Sequence, residues 1–128
     1  MIKGVNKVSV IHLDYSVLTT LQEVMEDEYP TLLDVFLKDS EYRISRLRQL
    51  MGVAAFDLQE LSLVAHSFKG SSSNMGALRL ADLCRELEER SRREESAGLD
   101  DLLAALDHEY STVRRLFDAE RQFFIAHP

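Results

Sequence analysis

The sequence of 128 residues has few residues that break helices, cross-link chains or span membranes. Its single cysteine, Cys84, excludes an internal disulfide and is typical of a reducing compartment. Only two prolines and five glycines interrupt it, which favours long helices. No stretch approaches the roughly 18 consecutive apolar residues of a transmembrane helix, and the N-terminus lacks a signal-peptide pattern. We therefore expect a cytoplasmic protein.

Basic residues are also scarce, with 15 Lys and Arg against 22 Asp and Glu, and the net charge is −7. This balance argues against nucleic-acid binding, which needs a basic face. The length predicts one domain, which we place at residues 12–127. Residues 1–11 are predicted to form a tail that could dock on that domain. Within the tail, Val8 to Ile11 could be extended but have no second strand to pair with.

Apolar residues recur at intervals of three and four, which predicts helices. We expect a short helix from about Asp14, its N-cap, to Met25. The first long helix should begin at the acidic run before Pro30 and end at Gly52. Three more long helices are expected. The second runs from Asp57 to Met75–Gly76, the third begins around Ala77–Leu78, and the last begins at the candidate N-cap Asp100. The expected core positions of these long helices are Leu33, Leu37, Ser40, Ile44, Leu47, Met51, Leu61, Val64, Phe68, Met75, Leu80, Leu83, Cys84, Leu87, Leu103, Leu106, Tyr110, Val113 and Phe117.

Four long helices with short connections predict an all-α fold, an antiparallel four-helix bundle with one additional short N-terminal helix. The charged run at 86–95 is expected to project past the core or fray. The arginines of the first long helix should form a solvated face. His12 is expected at the surface or as a cap, and His108 and His127 have no partners at metal-ligand spacing.

The segment Ala65 to Ala77 organises the chain. On a helix advancing about 100° per residue, Leu61, Val64, Phe68 and Met75 share the core face, with Ala65 and Ser72 at its edge. His66 then points away from the core, toward a partner. The residues predicted to surround it are Gln59, Ser62, Leu63, Lys69, Gly70 and Ser73.

Gly70 follows His66 by one helical turn, at a cost of about 1 kcal/mol relative to alanine. A larger side chain there would lean over the imidazole, so glycine leaves room for an approaching domain. Lys69 is also about one turn away and can place an ammonium group beside the ring, and Ser73 could add a hydroxyl. Lys69–Gly70 is also a plausible helix end. The apolar phase continues to Met75, however, which favours a longer helix.

The segment His66–Lys69–Gly70, followed by small residues and Gly76–Ala77, resembles the signature of histidine-containing phosphotransfer (HPt) domains. The run Leu80 to Glu88 and the region Phe36 to Ser40 are also similar to that family, so the resemblance covers about residues 14–117. It implies a four-helix bundle with an exposed, phosphorylated histidine on the second bundle helix. The chain looks complete and is similar to stand-alone bacterial HptB-type shuttles.

The resemblance implies a phosphorelay intermediate. A receiver phosphoaspartate, typically of a hybrid sensor kinase, would phosphorylate His66, which would pass the group to a response-regulator receiver. Lys69 would stabilise the phosphoryl charge and Gly70 would provide clearance. Receiver docking would use Gln59, Ser62, Leu63 and Ser73. The protein would be a monomeric carrier, not a kinase, with no membrane, nucleic-acid or metal site. It would have no cofactor of its own, because the required Mg²⁺ belongs to the receiver.

Two alternatives come from other classes. A non-catalytic adaptor bundle would bind a signalling partner without phosphoryl transfer, and His66→Gln would then be silent. A metal-dependent bundle enzyme would need Glu-x-x-His pairs facing the core, and no histidine here has a glutamate at that spacing.

Overall fold

The structure is a computed structural model that describes residues 11–52 and 56–127. The predicted extended piece Val8 to Ile11, apart from Ile11 itself, lies outside the described residues, as does the rest of the predicted tail. The described part contains five α-helices and a 3₁₀ turn, Glu26–Glu28, which leads into the second helix. The helices are α1 (Tyr15–Met25), α2 (Tyr29–Met51), α3 (Leu58–Asn74), α4 (Leu78–Arg92) and α5 (Leu99–Ala126).

Helices α2 to α5 form the predicted four-helix bundle. Each packs on its two neighbours: α2 on α3, α3 on α4, α4 on α5, and α5 back on α2. The ring encloses one core, in which Phe36 of α2 and Phe117 of α5 pack with ring centroids 5.4 Å apart. Cys84 is a buried core residue, as predicted, and burial raises the pKa of its thiol. α1 packs against α2 outside this ring.

Most helix ends lie where the sequence predicts them. The side chains of Asp14 and Asp57 cap α1 and α3 by accepting hydrogen bonds from the backbone N–H groups of Ser16 and Glu60. The prediction of Asp100 as the N-cap of α5 is wrong. Gly98 occupies that position at φ +79°, and Asp100 lies in the first turn.

The prediction that the charged run 86–95 projects or frays is also wrong. α4 continues to Arg92, and Leu87, Glu88 and Ser91 are buried within it. Inward positions on a helix recur at intervals of one, three and four residues, so these three residues continue the apolar stripe of α4. Glu88 and Ser91 thus place polar side chains on its inner face.

The arginines of α2 do more than form a solvated face. Arg43 donates a hydrogen bond to Ser67 Oγ on α3, with a distance of 3.1 Å. Arg46 lies 3.8 Å from the Glu60 carboxylate, and Arg48 pairs with Asp107 of α5. These contacts link α2 to both of its neighbours at the bundle surface, where each ion pair contributes little alone.

The backbone before α1 forms a strap across the turn between α3 and α4. The N–H of Asp14 donates to the carbonyl of Gly76 at 2.8 Å, and the N–H of Leu78 donates to the carbonyl of His12 at 3.1 Å. The expectation that His12 is a surface or capping residue is not met, because its ring is partly buried and Nδ1 lies 2.7 Å from the carboxylate of the buried Glu109. The strap therefore ties α1 to the turn between α3 and α4, to the start of α4 and to α5.

Gly76 is required where this strap crosses. Its φ is +72°, and a Cβ placed there would lie 3.0 Å from the Asp14 carbonyl oxygen and 3.1 Å from Val17 Cβ. Gly98 also has positive φ, but its Cβ would meet only the flexible tip of Arg90. The two glycines thus share a conformation and differ in what surrounds them.

We predict that Gly76→Ala lowers the free energy of unfolding by more than about 2 kcal/mol, because backbone strain and a clash with the strap add together. Gly98→Ala should cost only about 1 kcal/mol, from the left-handed conformation alone. Urea unfolding of the two variants beside the parent protein measures both values. Equal losses would contradict the assigned role of the strap.

Candidate functional site

His66 lies on the exposed side of α3, opposite the buried residues Leu61, Ala65 and Phe68. The helix runs without a break through Gly70 to Asn74, so the alternative helix end at Lys69 is excluded. The side chain of His66 is 67% exposed, as its helical phase predicts. The core face differs slightly from the prediction, because Ala65 is fully buried while Val64 is only partly buried.

The imidazole of His66 is held from one side by α4. Its Nδ1 lies 2.8 Å from Oε2 of Glu88, although the two residues are 22 positions apart in the sequence. Lys69 Nζ lies 2.8 Å from the other oxygen of the same carboxylate, and Arg92 approaches Oε2 at 3.3 Å. One carboxylate therefore gathers the histidine and two cations.

Glu88 is the residue that sequence reasoning missed. It is only 4% exposed, yet it sits in a run of charged residues that reads as solvated. The sequence signal for its burial was the helical phase of Glu88, which follows Leu80, Cys84 and Leu87 on the buried stripe of α4. A carboxylate at an inward position needs a partner, and the exposed face of α3 supplies it.

Glu88 is held in its ionised form. Burial alone would raise the pKa of this carboxyl, but hydrogen bonding and charge from Lys69 and His66 outweigh burial and hold the pKa below its usual value. An ionised carboxylate can only accept hydrogen bonds. The nitrogen facing it, Nδ1 of His66, must therefore carry the ring proton.

This arrangement leaves the other ring nitrogen chemically available. In a neutral imidazole with the proton on Nδ1, Nε2 holds an unshared electron pair. The ring is held by its Nδ1 edge, and most of the side chain is open to solvent. The geometry thus gives a nucleophilic nitrogen on an exposed helix face, and two cations bind the carboxylate that holds the ring.

Gly70 has open space where its side chain would be. A Cβ added there would meet no atom of residues 11–52 or 56–127 within 4 Å. Packing among these residues therefore gives no reason for glycine at this mid-helix position, although the residue costs stability.

The predicted docking residues lie in two separate depressions of the surface. Gln59, Ser62 and Leu63 border a depression of about 500 Å³ that also contains Arg92, and Leu63 is 58% exposed. Ser73 lies in a separate, smaller depression beside Lys69. The structure therefore brings three of the four predicted docking residues together in one depression, which Arg92 also borders.

No group of three or more His, Cys, Asp or Glu side chains within residues 11–52 and 56–127 could hold a metal ion. His127 instead stacks on Phe123 and contacts its carbonyl oxygen through Nδ1 at 2.8 Å. In the same ranges, no helix has the length and apolar character needed to cross a membrane.

Comparison with known proteins gives consistent matches. The family model described as the Hpt domain matches residues 31–116. The crystal structure of histidine-containing phosphotransfer protein B (HptB) from Pseudomonas aeruginosa PAO1 superposes with a TM-score of 0.84 at 52% identity, over 89% of this chain and 97% of that one. Histidine-containing phosphotransfer protein 4 of Arabidopsis thaliana is 29% identical over 99 residues, which cover 74% of this chain and 78% of the relative.

A further relative is named as a pseudo histidine-containing phosphotransfer protein. Pseudo histidine-containing phosphotransfer protein 6 of Arabidopsis thaliana is 26% identical over 115 residues, which cover 83% of this chain and 75% of the relative.

We predict that Glu88→Gln lowers the free energy of unfolding by about 1–2 kcal/mol at pH 7, because the variant loses charge-assisted contacts. The folded-state pKa is lowered, so the carboxylate stabilises the fold above the unfolded-state pKa of about 4.3. That contribution disappears as pH falls through the folded-state pKa. The difference between variant and parent, measured by urea unfolding, should therefore shrink at acidic pH.

Glu89→Gln is the control, because Glu89 neighbours Glu88 but forms its ion pairs with Arg85 and Arg93 at the surface. It should cost about 0.5 kcal/mol or less at pH 7. Equal effects of the two substitutions would contradict the special role of Glu88.

Proposed function

Because the chain belongs to the Hpt domain family and is a histidine phosphotransfer intermediate of a phosphorelay, we propose that His66 is the residue that carries the phosphoryl group. The observation that carries this proposal is the contact between Nδ1 of His66 and the buried carboxylate of Glu88. This contact supports an exposed histidine whose Nε2 is free to act as a nucleophile. The other described histidines do not share its setting of Lys69 and Gly70 on an exposed helix face.

The accepting step is a transfer between two protein side chains. The electron pair of Nε2 forms a bond to phosphorus while the bond from phosphorus to the aspartate oxygen of the donor receiver breaks. The released aspartate keeps the bonding electrons as a carboxylate, and the ring proton stays on Nδ1. Since the receiver holds the group to be transferred, catalysis here is mainly positioning and charge stabilisation.

Lys69 is assigned to stabilise the phosphoryl charge. Its ammonium group rests on Oε1 of Glu88, and its side chain is 32% exposed, so a rotation of the flexible chain can bring it toward Nε2. Oε2 of Glu88 keeps its contacts with His66 and Arg92 when Lys69 leaves. The ring can therefore stay oriented while the ammonium group changes partner.

Gly70 and the docking residues are assigned to the approach of the receiver. The empty space at Gly70 lets a second domain come close to the imidazole. Leu63 is the exposed apolar residue beside the larger depression, where Gln59 and Ser62 also lie, and it would be the main apolar contact. Ser73 would contribute a hydroxyl from the other side, next to Lys69.

Hpt proteins are phosphotransfer carriers, and we further propose that this chain has no kinase activity of its own, since its sequence lacks a glycine-rich phosphate loop. The receivers of hybrid sensor kinases and of response regulators are the proposed partners. The Mg²⁺ for transfer would be supplied by the receiver. We propose a cytoplasmic monomer, with residues 12–127 as its single domain.

The carrier role is tested by transfer of labelled phosphoryl groups from purified receiver domains that serve a known Hpt protein. The parent protein should acquire an acid-labile, alkali-stable label, and His66→Gln should acquire none. His12→Gln is the control, because His12 also contacts a buried glutamate through Nδ1. It should be labelled like the parent. Equal labelling of His66→Gln and parent, or no label on the parent with any receiver, would refute the proposal.

Clearance at Gly70 predicts opposite effects on stability and transfer. Gly70→Ala should raise the free energy of unfolding by up to about 1 kcal/mol, because alanine favours the helix. Gly70→Gln should fold normally, yet its transfer rate at low receiver concentration should fall about tenfold or more through weaker docking.

Ser111→Gln, at an exposed position of α5, is the size-matched control for Gly70→Gln and should leave transfer unchanged. Stability is measured by urea unfolding and transfer by initial rates. Undiminished transfer by Gly70→Gln would show that the open space at Gly70 does not serve docking.

A further inference from the structure

The proton on the second ring nitrogen determines how readily a phosphohistidine gives up its phosphoryl group. When the bond between Nε2 and phosphorus breaks, its electron pair remains on Nε2. If Nδ1 carries a proton, the ring departs as neutral imidazole. If Nδ1 is bare, the ring departs as an imidazolate anion, which is a much poorer leaving group.

We propose that Glu88 keeps the proton on Nδ1 of phosphorylated His66, so that the ring departs as neutral imidazole in the donating step. The inference rests on the proposed function, because it starts from a phosphoryl group on Nε2. In that step an aspartate oxygen of the acceptor bonds to phosphorus, and the electrons of the broken bond return to Nε2. The proton remains on Nδ1 throughout, and no further reactant is needed.

The position of the carboxylate supports this role. Oε2 of Glu88 lies 2.8 Å from Nδ1, and the glutamate side chain is almost completely shielded from water. A phosphorylated ring that keeps its Nδ1 proton is positively charged on the imidazole. An adjacent, buried anion that accepts its hydrogen bond favours this protonated form over the bare one.

The other charges near the ring leave this interaction in place. Lys69 of α3 contacts Oε1 and can turn toward the phosphoryl group, whereas Arg92 of α4 shares Oε2 with the ring. Farther out, Asp82 and Arg85 of α4 border the depression beside Lys69. From the α2 side, Arg43 reaches Ser67. Glu88 is thus the carboxylate in contact with the imidazole.

An amide at this position would not distinguish the two ring forms. Glutamine can accept a hydrogen bond from a protonated Nδ1 through its oxygen, and it can donate one to a bare Nδ1 through its NH₂ group. Glu88→Gln therefore keeps a partner for the ring but removes the preference for the proton. The substitution tests the charge separately from the presence of a hydrogen bond.

The chain contains a matched control for this substitution. Glu109 is equally buried, and its Oε2 lies 2.7 Å from Nδ1 of His12. Glu109→Gln makes the same chemical change at a second His–Glu contact, outside the proposed phosphoryl site. A general loss of stability would affect both variants, whereas the proposed role is confined to Glu88.

The experiment measures the rate at which phosphorylated protein donates to one receiver domain between about pH 6 and pH 9. Each protein is first phosphorylated with phosphoramidate and separated from it. The same receiver is used for all three proteins, so its own titration cancels. The alkaline fall in rate should move about one pH unit lower in Glu88→Gln, so that donation by this variant is about tenfold slower at pH values above both midpoints. Glu109→Gln should follow the parent.

A second measurement needs no comparison of rates. The ¹⁵N chemical shift of Nδ1 in each phosphorylated protein reports its protonated fraction, and the change from protonated to bare should occur about one pH unit lower in Glu88→Gln than in the parent. Superimposed rate profiles, or equal ¹⁵N titrations of the two proteins, would overturn the inference while leaving the carrier role intact. A parent protein that cannot be phosphorylated at His66 would overturn both.

Discussion

The buried carboxylate of Glu88 is the interaction on which the site depends. Removing an ionised carboxylate from water is costly unless other groups replace its hydration. Here Nδ1 of His66, the ammonium group of Lys69 and the guanidinium of Arg92 replace it. Because one anion contacts all three, it sets the ring orientation, the ring proton and the resting position of Lys69 together. The nucleophilic character of Nε2 follows from the charge on the opposite side of the ring.

The bundle provides the alignment that this interaction needs. Residues 66 and 88 meet only if α3 and α4 pack closely and in one register. Small buried side chains, Ala65 and Ser72 on α3 and Ala81 on α4, allow that close packing. The turn between the two helices is fixed by the strap, since the carbonyl of Gly76 accepts the N–H of Asp14. Segments far from the reactive histidine thus help to hold its partner in place.

The sequence was sufficient for features that depend on one helix at a time. Helical phase predicted the exposed side of His66 and the long α3, and capping chemistry predicted Asp14 and Asp57. Glu88 was not predicted, because a charged run looks solvated until the register between two helices is known. The role of Gly98 as the N-cap of α5 was missed for a similar reason, since a left-handed residue before the helix competes with an ordinary acidic cap.

The most direct test of this account is the protonation of the resting imidazole. Long-range ¹H–¹⁵N correlation spectra of the unphosphorylated protein at about pH 8 distinguish the two neutral forms of histidine. The account predicts that His66 carries its proton on Nδ1, with Nε2 unprotonated. A spectrum with the proton on Nε2 would contradict it, because the ring could not then donate to Glu88 and offer Nε2 to a phosphoryl group.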